Sequence, residues 1–247
     1  MIKRLFLDIE TSPNLGWFWS IGNRIRLTDD NIQKERQIIC AAWKWEGEEV
    51  AHAVHWGKRQ DDTRILERVI PVILRADEVV AHNGDNFDIR WLRTRAAKAG
   101  LAFPYKLPSF DTLKAVRQQF RLNSNKLDYV AKFLEVGRKT VVGFKLWKDV
   151  MANQPGALDK MVSYCKDDVI VLEDVYAAIR AFCAPVVHHG VAGGKPKYTC
   201  PNCKSTNHSP VKKNYTVAGT VRHHRECNVC GQQFLLSAKA LRELNKR

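Results

Sequence analysis

The sequence has no apolar run near the roughly 18 residues needed to cross a bilayer, which excludes a helical membrane span. Nor does its N-terminus carry a basic stretch followed by a long apolar segment and a cleavage site, so no secretory leader is expected. A cytoplasmic, reducing compartment follows as the default, with no membrane partner. There is no internal repeat or low-complexity tract, which sets aside solenoid architectures. Acids are in short supply: 26 Asp and Glu against 40 Lys and Arg leave a formal charge of +14 and a pI near 9.6. Such an excess suits a polyanionic partner, with nucleic acid the first candidate. In a reducing compartment the seven cysteines are expected as free thiols or metal ligands, not as a disulfide framework.

The basic charge is concentrated at one end. From Lys195 to Arg247 there are eleven Lys and Arg against two acids, so this tail carries +9 and the rest of the chain +5. Between the two lies Pro185-Val186-Val187-His188-His189-Gly190-Val191-Ala192-Gly193-Gly194-Lys195-Pro196, whose glycines and prolines mark a linker. The expected organisation is a domain over 1–184, a linker over 185–197 and a small domain over 198–247. An apolar share of 45% is enough for a substantial core in the larger part.

In that larger part strand patterns come first. Leu5 to Ile9, Ile38 to Trp45 and Val50 to Trp56 read as strands, the last two joined as a hairpin by Glu46-Gly47-Glu48-Glu49. Thr63 to Leu74 has the helical period, with Ile65, Leu66, Val69, Ile70 and Ile73 on one side, and leads into a strand over Glu78 to Ala81. Helices are then expected over Phe87 to Ala99, Thr112 to Phe120, Leu127 to Leu134 and about Leu158 to Phe182. A hairpin followed by alternating helices and strands predicts an α/β fold with a mixed sheet covered by helices.

Acids recur at the ends of these elements. Asp8 and Glu10 are two apart on the first strand, so they face the same way. Like charges that close are tolerated mainly when a cation lies between them, and hard ions such as Mg²⁺ or Mn²⁺ prefer oxygen ligands. The pair alone is weak, because about three acid-x-acid pairs arise by chance in a chain of this composition. Glu46-x-Glu48 reads as one such accident. A second acid, Asp88, opens the helix after the turn His82-Asn83-Gly84-Asp85-Asn86-Phe87, where the helix dipole alone would also favour it. In the last helix Tyr164 and Asp168 are i and i+4 on one face, with Asp167 turned about 100° away. Tyr164 alone could equally be a core aromatic with a wet hydroxyl.

Taken in order, Asp8-x-Glu10, Asn83-x-x-x-Phe87-Asp88 and Tyr164-x-x-x-Asp168 resemble the three motifs of the DnaQ-like 3′→5′ exonucleases of the ribonuclease H-like superfamily. The match is to the DEDDy branch, related to the exonuclease domain of family-B DNA polymerases, and covers about Met1 to Ala184. Phe110-Asp111-Thr112-Leu113 and Lys126-Leu127-Asp128-Tyr129-Val130-Ala131 look like that family's connecting helices, and Phe144-Lys145-Leu146-Trp147 like the stretch before the last one. The resemblance implies a ribonuclease H-like mixed sheet and two Mg²⁺ or Mn²⁺ ions about 4 Å apart. Asp8 would touch both ions, Glu10 and Asp168 one, Asp88 the other, and Tyr164 would orient the attacking water. It also implies release of nucleoside 5′-monophosphates from single-stranded DNA or RNA 3′ ends, the polymerase-like branch favouring DNA.

Substrate contacts are less sharply drawn. Thr11 would lie by the terminal nucleotide, although Ser12 stands where many relatives have glycine. Asn83 is expected to order its turn and to reach the substrate, and His82 to make a structural hydrogen bond. Trp17, Phe18, Trp19, Arg24 and Arg26 interleave rings with guanidinium groups, as suits single-stranded nucleic acid. The competing expectation packs these rings against the hairpin strands.

In the tail, Cys200-Pro201-Asn202-Cys203 and Cys227-Asn228-Val229-Cys230-Gly231 form two Cys-x-x-Cys knuckles 23 residues apart. That spacing predicts a zinc ribbon with one structural, tetrahedral Zn²⁺. A segment this short has little core of its own and needs such a staple. Lys212, Lys213, Arg222 and Arg225 are candidate nucleic-acid contacts on its strands, next to His223 and His224. Docking of a replication or repair protein is the alternative role. Ser237 to Arg247 reads as a short basic helix. Two further functional classes stay open: a structure-selective endonuclease using the same metals, and a binding module that no longer turns over.

Overall fold

The computed structural model describes residues 2–20, 22, 27–137 and 142–246. Its centre is strand β1 (Arg4–Thr11). The apolar run that precedes Asp8 is fully buried at Leu5, Phe6 and Leu7, because both faces of this strand are covered. After a short β2 (Leu15–Gly16) and β3 (Ile32–Lys34), which pair with each other, comes β4 (Ile38–Trp45), antiparallel to β1. Its small residues Cys40, Ala41 and Ala42 are buried and lie opposite Glu10, Ile9 and Asp8. Strand β5 (His52–His55) completes the hairpin with β4.

Helix α1 (Thr63–Leu74) buries Ile65, Leu66, Val69, Ile70 and Ile73, the face read from its period, and Val72 as well. Strand β6 (Glu78–Ala81) then lies parallel to β1 and leads through a turn into α2 (Asp88–Lys98). Asp62 fixes this layer to the sheet: its carboxylate takes two bonds from Arg95 on α2 (2.6 and 2.8 Å) and one from the Ile38 N–H (3.0 Å). All of that is buried, so neither charge can be removed without stranding the other.

Strand β7 (Ser109–Asp111) follows, parallel to β6, giving the sheet order β5-β4-β1-β6-β7. Phe110 and Asp111, expected with the connecting helices, are strand instead, three residues being too few for a periodic signal. Helices α3 (Thr112–Gln119), α4 (Leu127–Phe133) and α5 (Lys145–Met151) come next, and α6 (Ala157–Ile179) lies across β1 and β4. This is the mixed α/β sheet flanked by helices that the pattern predicted.

The Gly- and Pro-containing segment after α6 is not a loose tether. It contains a one-turn helix, α7 (His189–Ala192), with His189 and Gly190 buried. Beyond it, β8 (His208–Tyr215), β9 (Val221–Cys227) and β10 (Gln233–Ser237) form a separate antiparallel sheet, followed by α8 (Ala238–Leu244), whose first turn is capped by the Ser237 hydroxyl (3.2 Å from the Ala240 N–H). Among the described residues most of the buried apolar side chains accordingly fall into two clusters, the second consisting of Tyr198, Cys200, Cys227, Phe234, Leu236 and Ala240. Among the described residues no helix is long and apolar enough to cross a membrane.

Candidate active site

Asp8 and Glu10 project from the same side of β1, just before the irregularity in its pairing at Glu10 and Thr11. Helix α6 delivers Asp168, buried, to the same place, and one carboxylate oxygen from each of Asp8, Glu10 and Asp168 lies within 4.8 Å of the others. Three acids converging so closely repel unless they are protonated or share a cation, and the all-oxygen set suits a hard divalent ion. They line a cleft of about 650 Å³ together with Tyr164, Asp88, Asn83 and His82. Arg117 and Lys126 line it as well. Neither stands out as a site residue in the sequence, since one cation within a helix and one just before the next carry no pattern.

Tyr164 is held by Trp147, from the stretch before the last helix. The Trp147 ring meets it edge-on, with centroids 6.2 Å apart, and the indole N–H donates to the Thr11 carbonyl (3.1 Å). One tryptophan thus ties the end of β1 to the tyrosine on α6. Thr11 itself is mostly buried, and the Ser12 hydroxyl accepts from the Gln37 N–H (3.0 Å). Another unforeseen partner is Cys165, next in sequence to Tyr164. Its thiol lies 3.3 Å from Asp8 Oδ2 and 3.5 Å from the Asp8 carbonyl oxygen. Burial raises that thiol well above its ordinary pKa, as do Cys40 and the nearby acids, so it stays protonated and donates.

Asp88 occupies the first turn of α2 and accepts from the Ile9 N–H through Oδ1 (3.0 Å), between the two strand acids. Burial pushes its carboxyl up to about 7; the Asp111 charge adds to this, and the hydrogen bonds from Ile9 and its own N–H oppose it. It lines the cleft but is not one of the three acids whose oxygens converge. The turn before it depends on Asn83, whose φ of 68° is left-handed and whose carbonyl accepts from the Asn86 and Phe87 N–H groups. Gly84 is required next to it, because a Cβ there would meet that of Ala81 at 2.4 Å.

Asp111 joins this turn to the next helix. It accepts from the Asn83 and Asp85 N–H groups on one side and from Leu113 and Lys114 on the other, where it caps α3. An aspartate directly before a helical run is a readable cap signal, and that signal was available in the sequence. His82 has both ring nitrogens engaged, with the Thr112 hydroxyl (2.9 Å) and the Asn125 carbonyl (3.0 Å).

The aromatic segment is not packed against the hairpin. The Trp17 backbone is held by Asn31 in both directions, yet its side chain and that of Trp19 stand in solvent, Trp19 completely so at 105% of its reference exposure. Arg24 and Arg26 lie outside the described residues.

In the tail, the sulfurs of Cys200, Cys203, Cys227 and Cys230 lie within 4.8 Å of one another. The two knuckles have the same backbone geometry: Lys204 N–H donates to the Cys200 carbonyl as Gly231 N–H does to that of Cys227, and both donors have left-handed φ. Bonds of about 2.3 Å to a tetrahedral ion would set sulfurs about 3.8 Å apart. Separations of 3.7 Å for Cys200–Cys230 and 3.4 Å for Cys203–Cys227 are close to that. Burial raises the Cys200 and Cys203 thiols; at Cys230 it is outweighed by hydrogen bonds from the Asn202 amide and the Gln232 N–H, which bring that thiol to about 7.

The four basic candidates of this sheet do not share one face. Lys212, opposite His224, lies with Arg222 on one side, and Lys213, opposite His223, with Arg225 on the other. Arg225 is already engaged, donating to His208 Nδ1 (3.0 Å) and to the His208 carbonyl (2.8 Å).

Strand acids meeting a helix acid beside a mixed sheet fit a nuclease-like fold. The chain belongs to the RNase_H superfamily, whose family profile matches residues 5–180. Over 141 residues it is 30% identical to the DNA polymerase III PolC-type of Ureaplasma parvum serovar 3, an alignment covering 53% of this chain and 10% of that polymerase. The structure of the family B DNA polymerase from the hyperthermophilic archaeon Pyrobaculum calidifontis is similar with a TM-score of 0.51 at 14% identity, over 88% of this chain and 31% of that one. Both relatives extend far beyond the part they share with this chain, and the structural likeness is one of fold.

Proposed function

We propose that the protein is a metal-dependent 3′→5′ exonuclease that releases nucleoside 5′-monophosphates from single-stranded nucleic acid, DNA in preference to RNA. The observation that carries this reading is the convergence of Asp8, Glu10 and Asp168 beside Tyr164 in one cleft. Asp8, Glu10, Asp168 and Asp88 would hold two Mg²⁺ or Mn²⁺ ions. When bound, such ions supply an activated water and neutralise charge on the leaving oxygen. Tyr164, oriented by Trp147, hydrogen-bonds and aims that water. Cys165 keeps the Asp8 carboxylate in place by donating to it. Thr11 and Asn83 flank the terminal nucleotide.

The division of labour follows the two cores. Residues 1–184 carry the chemistry, 185–197 connect, and 198–247 form a ribbon with one structural Zn²⁺ on Cys200, Cys203, Cys227 and Cys230. Trp17 and Trp19 offer rings to unpaired bases, and Lys212, Lys213, Arg222 and Arg225 offer charge to phosphates, the engaged Arg225 least. A replication or repair protein is a further partner for the ribbon. A cytoplasmic setting suits the seven cysteines, none of which is in a disulfide.

The test is end-labelled single-stranded and duplex DNA and RNA with Mg²⁺ or Mn²⁺, resolved by gel. A mononucleotide ladder from the 3′ end is expected. Cleavage of a circular single strand would replace this reading with an endonuclease, and binding without cleavage in either metal with a silent module.

A further inference from the structure

We infer that Asn202 couples the four-cysteine site to the root of the catalytic strand, so that metal in the knuckles holds the ribbon docked on the nuclease sheet. The inference rests on the reading of that site as a zinc site. Arg4, the first residue of β1, is 2% exposed, and every part of its guanidinium has a partner. Nε donates to Glu78 (2.7 Å), Nη1 to both oxygens of Glu46 (2.6 Å each), and the group lies over the Tyr176 ring. Those partners belong to the larger region. Nη2 instead faces the tail, donating to Asn202 Oδ1 (3.1 Å) and lying 3.4 Å from His189 Nε2 on α7.

The other half of the same amide faces the cysteines: Asn202 Nδ2 donates to Cys230 Sγ (3.5 Å). A carboxamide offers an acceptor to a guanidinium and a donor to a thiolate from its two separate atoms. The equivalent position of the second knuckle is Val229, which is 64% exposed, so the knuckle fold by itself does not demand a polar side chain here. That second knuckle reaches across through the residue after Gly231. Buried Gln232 donates through Nε2 to the Cys183 carbonyl (2.9 Å) just after α6. Each knuckle therefore contributes one amide to the larger region, and the four sulfurs bring the two knuckles together. Loss of the metal strips Arg4 of its tail-side partner, and Asp8 lies four residues further along the same strand.

The experiment uses the full chain without Mg²⁺ or Mn²⁺ and reads structure, not turnover. Metal content is measured first; a purified chain that takes up no zinc overturns the zinc reading itself. Hydrogen exchange at residues 3–6 and 78–80 and limited proteolysis within 185–197 are then compared with and without a zinc chelator. Removal is expected to raise exchange at those amides at least tenfold and to open the segment to cleavage. Asn202→Ala at saturating zinc should do the same with one zinc still bound. Asn202→Asp, which keeps an acceptor for Arg4 but sets a carboxylate against the thiolates, should stay docked and bind zinc more weakly. A zinc-loaded Asn202→Ala chain with unchanged exchange and proteolysis overturns the coupling.

Discussion

The nuclease region and the ribbon both hold reactive side chains a few ångströms apart, and they do it by opposite means. In the nuclease region a large apolar core does the holding. Asp8 and Glu10 stand on a strand buried on both faces and Asp168 on a helix packed across it, so the packing of those two elements brings the acids together. In the ribbon the order is reversed. Its buried cluster among the described residues has six members, two of which are themselves cysteines of the site. A core that small contributes little, and on the proposed zinc reading of the four cysteines the staple comes from the metal. The difference teaches that the two sites should fail differently: removal of active-site metal silences a folded domain, whereas removal of ribbon metal unfolds one.

Zinc removal gives the sharpest test of that contrast and the largest expected effect. Structural zinc sites have apparent binding energies of about 10–16 kcal/mol that are also folding energies. Chelation, or Cys200→Ser, should abolish the ribbon's cooperative unfolding while leaving a transition for the nuclease region, as followed by circular dichroism and calorimetry. Simultaneous loss of both transitions would mean that the two cores are one.

Asp8→Ala is the converse. It should lower 3′-end degradation by at least about 10³-fold and leave the thermal transition and the zinc content intact. Unfolding of this variant would show that the acids contribute to folding, contrary to the comparison.

Tyr164→Phe keeps the ring that packs on Trp147 and removes the hydroxyl. Activity should fall about 10- to 1000-fold, corresponding to about 1.4–4 kcal/mol for orienting the water. Asp167→Asn, turned from that face, should change turnover far less. Equal damage from both would show the assigned phase of α6 to be wrong.

Smaller effects concern binding. Trp19→Ala should weaken single-strand binding by about 1–3 kcal/mol if its ring stacks on a base, with no loss of stability, because the side chain is fully exposed. Unchanged affinity removes it from the substrate path. Smallest is the split among the ribbon cations. Reversing Lys212 and Arg222 together should flatten the salt dependence of binding by about 0.7 per lost contact. Reversing Arg225 should cost ribbon stability instead, since it holds His208. Identical salt slopes in the unaltered protein and both variants would point to a protein partner for the ribbon.

The sequence by itself determined the parts whose information is local. Two acids at i and i+2 on a strand, tyrosine and aspartate at i and i+4 on a helix, the apolar face of α1 and two Cys-x-x-Cys knuckles all follow from a period or a spacing. Only the tertiary structure decided which distant groups complete them. Strand β7 and the bonds that Asp111 accepts from the Asn83 turn, the thiol of Cys165 against Asp8, and Trp147 between Thr11 and Tyr164 depend on neighbours far away in the chain. So do the solvent-exposed rings of Trp17 and Trp19. The basic residues of the ribbon show the reason most simply: strand register sends alternate side chains to opposite faces, so composition counts four cations and pairing divides them two and two. Arg4 and Asn202 stand 198 residues apart. No local pattern encodes their bond, because its geometry is set by how the two cores pack against each other.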